Sequence, residues 1–218
     1  MKEIFKNFNY SNLYKKCIMS SIAHAIMVGN YDLLSSEQSW DGFNYNFQNM
    51  EGTRGIISFG KEVYVCLVQN NVEYKKYNEY YISELFDGIE ETTFALVKEA
   101  LQYMLVDYNG YVVPVISTAF WGNRNSNFSN QSEEEIIKLS EEVIVPFLYN
   151  ENDAKKYWKN YYEMTNEQVR MMEEIYSRRI NLKGNLKLTS YERAKLEEWS
   201  DNIDECIESF KELHIFLD

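Results

Sequence analysis

The sequence predicts an α+β protein in which an antiparallel β-meander packs with helices and the chain ends in a C-terminal helical hairpin. Three observations carry this expectation. Between Tyr14 and Ile26 apolar residues recur every four positions, the spacing of a helix face. From Phe43 to Gln48 aromatic and polar residues alternate, and short apolar runs separated by turn residues follow. Beyond Ser132, three helix-start signals precede segments whose apolar residues lie three and four apart.

The first helix is expected over "SNLYKKCIMSSIAHAIMVGN", with Ser11 as N-cap and Gly29-Asn30 as the stop. Tyr14, Ile18, Ile22 and Ile26 form its stripe. Phe43, Tyr45 and Phe47 then give a strand with one aromatic face, expected to pack under that helix. "NMEGTR" is a turn, "GIISF" a second strand, and "EVYVCLVQ" a third. The third is apolar on both faces around Val65–Val68, which places it centrally. Residues 71–88 are tyrosine-rich without a clean period, so a strand-less excursion and a short helix both fit. A helix follows, with Phe94, Val97, Leu101, Met104 and Leu105 inward and Asn109-Gly110 at its end. "YVVPVISTAF" reads as a strand in which Pro114 removes a ladder donor, hence an edge or bulge.

"WGNRNSNFSNQS" reads as a long polar loop, a length that favours function or mobility. Capping boxes are expected at Ser132/Glu135, Thr165/Gln168 and Thr189/Glu192. Pro146 should kink or end the first of these helices. The last helix carries Leu196, Trp199, Ile203, Cys206, Phe210, Leu213 and Leu217, close to a heptad seam. Packing that seam on the Val169–Ile175 helix buries it without a partner chain.

With 45% apolar and 16% aromatic residues the 218-residue chain has ample material for a core. Its two prolines and the lack of any linker-like stretch indicate one domain over 1–218, with a helical part from about 151 to 218. No run of about 18 apolar residues is present, and the N-terminus lacks a secretory apolar region. A cytoplasmic protein without a membrane partner is therefore expected. Cys17, Cys66 and Cys206 are far apart and odd in number, which suits buried, reduced thiols without a disulfide. Paired metal-ligand spacing is missing and only two histidines exist, so neither metal nor cofactor is expected.

The formal charge of −12 is uneven. Residues 1–80 are neutral, whereas residues 81–149 carry three basic and eleven acidic side chains. Such a middle third repels nucleic acid and anionic membranes and attracts a basic partner.

The densest polar and aromatic stretch is "SSEQSWDGFNYNFQNMEGTRG", Ser35–Gly55. Asp41-Gly42 and Glu51-Gly52 have turn chemistry. If the flanking strands pair, Asp41, Glu51 and Arg54 would converge as a carboxylate pair beside an arginine. Trp40 and Asp41, just before the strand, are placed to reach solvent and carry binding, whereas Phe43 and Phe47 belong to scaffold. In the polar loop, Trp121 and Arg124 are residue types that anchor interfaces. His24 falls beside Cys17, Ser20 and Ser21. At seven residues' separation, Cys17 and His24 lie about 10 Å apart along the axis, too far for a nucleophilic pair. No phosphate-binding loop, nucleophile elbow or dinucleotide fingerprint is present, so no catalytic residue is assigned.

The run from Ala23 to Phe59 resembles small uncharacterised bacterial proteins, and the acidic, aromatic-rich chain is similar in style to immunity proteins of bacterial toxin systems. That resemblance implies a protein-binding module, an immunity-type inhibitor that occludes a basic partner such as a toxin. The chain itself would be a monomer or weak homodimer. The acidic segments 84–91 and 133–142 would steer the partner, and Trp40, Asp41, Glu51, Arg54, Trp121 and Arg124 are the candidate binding residues. Two other classes remain open: an enzyme acting on a small polar substrate through Asp41, Glu51 and Arg54, and a structural module that dimerises through Trp199 and Phe210.

Overall fold

The structure is a computed structural model that describes residues 1–31, 33–70, 79–108 and 110–217. It is an α+β fold. The main sheet has seven strands in the order β1 (Lys2–Ile4), β9 (Asn127–Ser129), β8 (Thr118–Asn123), β5 (Val63–Gln69), β4 (Arg54–Phe59), β3 (Asn44–Gln48) and β2 (Gln38–Asp41). The pairings from β1–β9 through to β4–β3 are antiparallel. β5 is the middle strand, as its apolar run on both faces predicts. Among the described residues no helix is long and apolar enough to cross a membrane. The chain divides into two compact units, Met1–Leu13 with Asp41–Leu148 and Tyr14–Trp40 with Tyr149–Asp218.

In the first unit the sheet is covered on both faces. Ile56, Val65, Leu67, Ala119 and Trp121 share one face, because register pairs Ile56 with Leu67, Val65 with Trp121 and Leu67 with Ala119. They pack with Leu85 and Phe86, with Val97 and Ala100 of α3 (Glu91–Ala100), and with Met104. The opposite face gathers rings: Phe5 and Phe8 each meet Phe120 edge to face, and Tyr45 and Phe47 pack on Phe147.

Several expected elements differ. Residues 71–78 of the tyrosine-rich stretch lie outside the described residues, and α2 covers Glu79–Leu85. α3 ends at Ala100, ten residues or so earlier than expected. A 3-10 turn (Leu101–Met104) then leads into β6 (Leu105–Tyr108), which pairs with β7 (Tyr111–Pro114). Gly110, at φ +83° and donating to Asp107 Oδ1, closes that hairpin. A tight turn with positive φ outcompetes helical spacing here. "YVVPVISTAF" is accordingly two strands, β7 and β8, with Pro114 ending the two-stranded hairpin.

The stretch expected to be a loop after Trp121 is the β8–β9 hairpin, with Trp121 opposite Phe128. Its asparagines build it: Asn123 Oδ1 accepts the amides of Asn125 and Ser126, and buried Asn127 donates to the carbonyls of Phe5 and Phe8. α4 (Glu133–Leu139) has the expected capping box. It stops well before Pro146, because Glu141 and Glu142 adopt positive φ, and Pro146 sits in the first turn of α5 (Val145–Leu148).

The second unit is built around α1 (Tyr10–Met27) from Tyr14 onward. Asn9, not Ser11, starts this helix, with its Oδ1 accepting the Asn12 amide at 3.0 Å. From Lys16 to Gly29 every residue is buried, so the expected stripe is one side of a helix enclosed all round. α6 (Glu151–Tyr161), α7 (Asn166–Asn181), α8 (Ser190–Trp199) and α9 (Ile203–Glu212) complete the unit. The boxes at Thr165 and Thr189 are both formed. α8 and α9 make the C-terminal helical hairpin, followed by β11 (Ile215–Phe216) in parallel with β10 (Leu186–Lys187).

The expected single last helix is thus broken at Ser200–Asn202. The cause is tertiary. The Asn202 amide donates to the Gly29 carbonyl at 3.0 Å, and the Asp201 amide to Asn30 Oδ1. Gly29 permits this approach: a Cβ there would lie 1.9 Å from Ser200 Oγ and 2.4 Å from the Asn202 oxygen. The main neighbours of α9 are the Val28–Asn30 turn, α8 and β11, rather than the expected Val169–Ile175 segment. Phe210 and Cys206 are fully buried, while Trp199 and Ile203 are half-buried.

Candidate protein-binding surface

Within Ser35–Asp41, Glu37 and Gln38 point inward. Ser20 Oγ donates to Gln38 Oε1 at 2.7 Å, and Gln38 Nε2 donates to the Tyr162 hydroxyl at 2.7 Å. The Tyr162 and Tyr161 hydroxyls both donate to the Glu37 carboxylate, which is only 3% exposed. Burial raises the Glu37 pKa, and the two hydroxyl donors oppose that rise. His24 Nε2–H donates to the Leu34 carbonyl at 2.8 Å. Burial lowers its pKa to about 4, so the imidazole is neutral. Glu37, Gln38, Tyr161 and Tyr162 carry no motif in the sequence. The signal for Glu37 and Gln38 is a polar run, "SSEQS", after a helix with buried-type spacing.

Trp40 belongs to this internal network. Its indole Nε1–H donates to Ser21 Oγ at 2.8 Å, its amide donates to Glu212, and its ring meets Tyr14 edge to face. Asp41 is exposed and accepts from the Tyr103 hydroxyl at 2.6 Å. Phe43, expected beside Tyr45 and Phe47, is 73% exposed. The turn begins at Gly42, φ +61°, and β3 begins at Asn44, so Phe43 is a turn residue.

Asp41, Glu51 and Arg54 are not brought together. Asp41 and Glu51 stand at opposite ends of the five-residue β3, roughly 17 Å of strand. Arg54 is half-buried, its Nε donating to Gln69 Oε1 and its Nη2 to the Leu105 carbonyl. Glu51 stays in the exposed β3–β4 turn. Trp121 is 3% exposed and packs on Phe86 within the core. Arg124 sits at the tip of the β8–β9 hairpin in an exposed ion pair with Glu62. Cys17, Cys66 and Cys206 are free and buried, and burial drives the Cys66 thiol far above its ordinary range.

The sequence-level acidic segments fare differently from each other. On α4, Glu133 accepts the Phe5 amide, Glu135 closes the capping box and Glu141 accepts from Thr53. Those carboxylates hold the fold. Glu84, Asp87, Glu90 and Glu91 are exposed, and none of their side-chain carboxylates takes part in a hydrogen bond or ion pair among the described residues.

Two of these four residues, Asp87 and Glu91, line an apolar groove of about 660 Å³ in the first unit. Ile82, Phe86, Ile89, Phe94 and Pro114 supply its apolar lining, and Asp87 and Glu91 stand on its edge. Phe86 and Phe94 form an aromatic corner with ring centres 6.3 Å apart. The floor is rigid. The Ile89 amide donates to Phe86, and Asn130 Nδ2 donates to the carbonyls of Glu84, Leu85 and Asp87. Lys98 lies over the Phe94 ring at 5.0 Å. The acidic rim was legible as charge; the groove was not, because Pro114 joins it from the distant β7.

Comparison with protein-family models, with curated proteins and with solved structures finds no match to this chain.

Proposed function

We propose that this protein is an acidic protein-binding module that holds a basic partner protein and occludes its working surface, in the manner of an immunity-type inhibitor. One observation carries the reading. In the segment 81–149, where acidic residues outnumber basic ones by eleven to three, the carboxylates of Glu84, Asp87, Glu90 and Glu91 are exposed and without a partner among the described residues, and Asp87 and Glu91 line an apolar groove. Among the described residues of this segment, Lys98 rests on Phe94 and Arg124 pairs with Glu62. A field of one sign beside apolar surface speeds encounter with an oppositely charged partner and suppresses anionic ones.

The test is a titration of the whole protein against basic proteins and poly-lysine at rising ionic strength. Binding should weaken steeply between about 50 and 300 mM salt, where screening shortens to a few ångströms. Charge reversal at Glu84, Asp87, Glu90 and Glu91 together should weaken it at least tenfold with an unchanged melting temperature. If no basic protein or polycation binds at low salt, the reading is wrong.

A further inference from the structure

We infer that the groove between α2 and α3 is the docking site for a basic amphipathic helix of the partner, with apolar side chains seated against Phe86, Phe94 and Pro114 and flanking lysines or arginines meeting Asp87 and Glu91. The inference rests on the protein-binding reading and names the partner's chemistry. Its size and lining suit several apolar side chains: about 660 Å³ lies within the range of ligand-sized pockets, and the walls are aliphatic and aromatic. The acidic rim selects the sign of the occupant's flanks. Anionic lipid surfaces and nucleic acid, which also present large binding areas, are repelled by the same rim.

The backbone decides between a helix and an extended strand. Strand addition needs a row of free amides and carbonyls. At this groove the amides of Asp87 and Ile89 donate to the Glu84 and Phe86 carbonyls. The carbonyls of Glu84, Leu85 and Asp87 already accept from Asn130. Pro114, on the far wall, has no amide hydrogen. Recognition must therefore run through side chains, and a helix presents apolar anchors at i, i+3, i+4 and i+7 with its own backbone satisfied. Fixing the Phe86–Ile89 turn through Asn130 also keeps the groove preformed, which lowers the cost of ordering on binding.

The probes are three labelled synthetic peptides of equal length: a leucine–lysine amphipathic helix, its scrambled isomer without an apolar face, and an all-lysine peptide. Each is titrated into the full chain and into two variants, Ser83→Trp, which fills the groove from an exposed position on α2, and Asp87→Lys with Glu91→Lys. Both variants are first checked for an unchanged melting temperature. The amphipathic peptide should bind at least tenfold tighter than the scrambled one, lose at least tenfold on Ser83→Trp, and shift the methyl resonances of Ile82 and Ile89. If all three peptides bind alike and Ser83→Trp changes nothing, the docking site is wrong while the charge-driven reading stands. If none of the three binds at low salt, both fail.

Discussion

His24 is a neutral imidazole inside the second unit, and its environment sets the sign of a pH effect. Its folded pKa, about 4, lies below the ordinary value of 6.5 because burial penalises the cation. Above pH 6.5 it is neutral both folded and unfolded and has no pH effect. As pH falls from 6.5 to 4 the unfolded chain takes up a proton that the folded chain refuses, so stability is lost through that window. A shift of this size corresponds to about 3 kcal/mol. Glu37, with a raised pKa, has the opposite sign: stability falls as pH rises past the ordinary carboxylate value. The two effects partly cancel in the wild type, and a variant separates them. His24→Gln keeps a donor for the Leu34 carbonyl and removes the titration. Its melting temperature should fall less than that of the wild type between pH 6.5 and 4; equal acid losses in the two proteins would refute the assignment. A second residue-scale contrast lies in β3. Phe47 is buried on Phe147, and a Cβ at Gly55 would press to 2.3 Å from its ring. Phe47→Ala should cost about 3–5 kcal/mol in chemical denaturation, whereas Phe43→Ser, at an exposed turn, should stay within about 0.5 kcal/mol.

At the scale of elements, α9 shows why similar-looking apolar positions differ in weight. Phe210 is fully buried and Trp199 only half-buried, although both sit on the predicted seam. Phe210→Ala should therefore cost about 3–5 kcal/mol and Trp199→Ala distinctly less, measured as midpoints in urea at constant m-value. Gly29→Ala should weaken the unit as well, because Ser200 and Asn202 cannot retreat without losing the bond to the Gly29 carbonyl. Elements written in local chemistry were legible: the three capping boxes, the alternation of β3 and the doubly apolar β5. Elements settled by distant contacts were not. Leu101, Met104 and Leu105 keep helical spacing past the point where the β6–β7 hairpin takes over. The seam from Leu196 to Phe210 runs through a break imposed by Gly29 and Asn30. Asparagine and serine between Gly122 and Ser132 have loop composition, yet Asn123 and Asn127 use their side chains to build a hairpin. The candidate surface divides in the same way. Charge at 84–91 can be read along the chain, but a groove needs Pro114 and Asn130 brought to the same place.

At the scale of the whole molecule, the chain order of the units has a consequence for folding. Each unit is discontinuous: one takes residues 1–13 and 41–148, the other 14–40 and 149–218. The first 40 residues therefore contribute to two cores. In the first unit they supply β1, and with it Ile4, Phe5 and Phe8, all buried, the two rings packed on Phe120. Burying each such side chain is worth about 1.5–3 kcal/mol, so these three contribute on the order of 6 kcal/mol. In the second unit they supply the enclosed helix from Tyr14 onward, with Ile18, Ile22 and Ile26 each at most 4% exposed. Those three isoleucines contribute a similar amount. Domain stabilities are about 5–15 kcal/mol, so losing either set removes much of the margin. A fragment covering 41–218 should keep part of its far-ultraviolet dichroism, lose the sharp dispersion of aromatic and methyl resonances, and unfold without a cooperative transition. Adding a synthetic 1–40 peptide should restore dispersion in both units together. A fragment that melts cooperatively by itself, within a few degrees of the full chain, would show that the cores do not depend on the N-terminal segment.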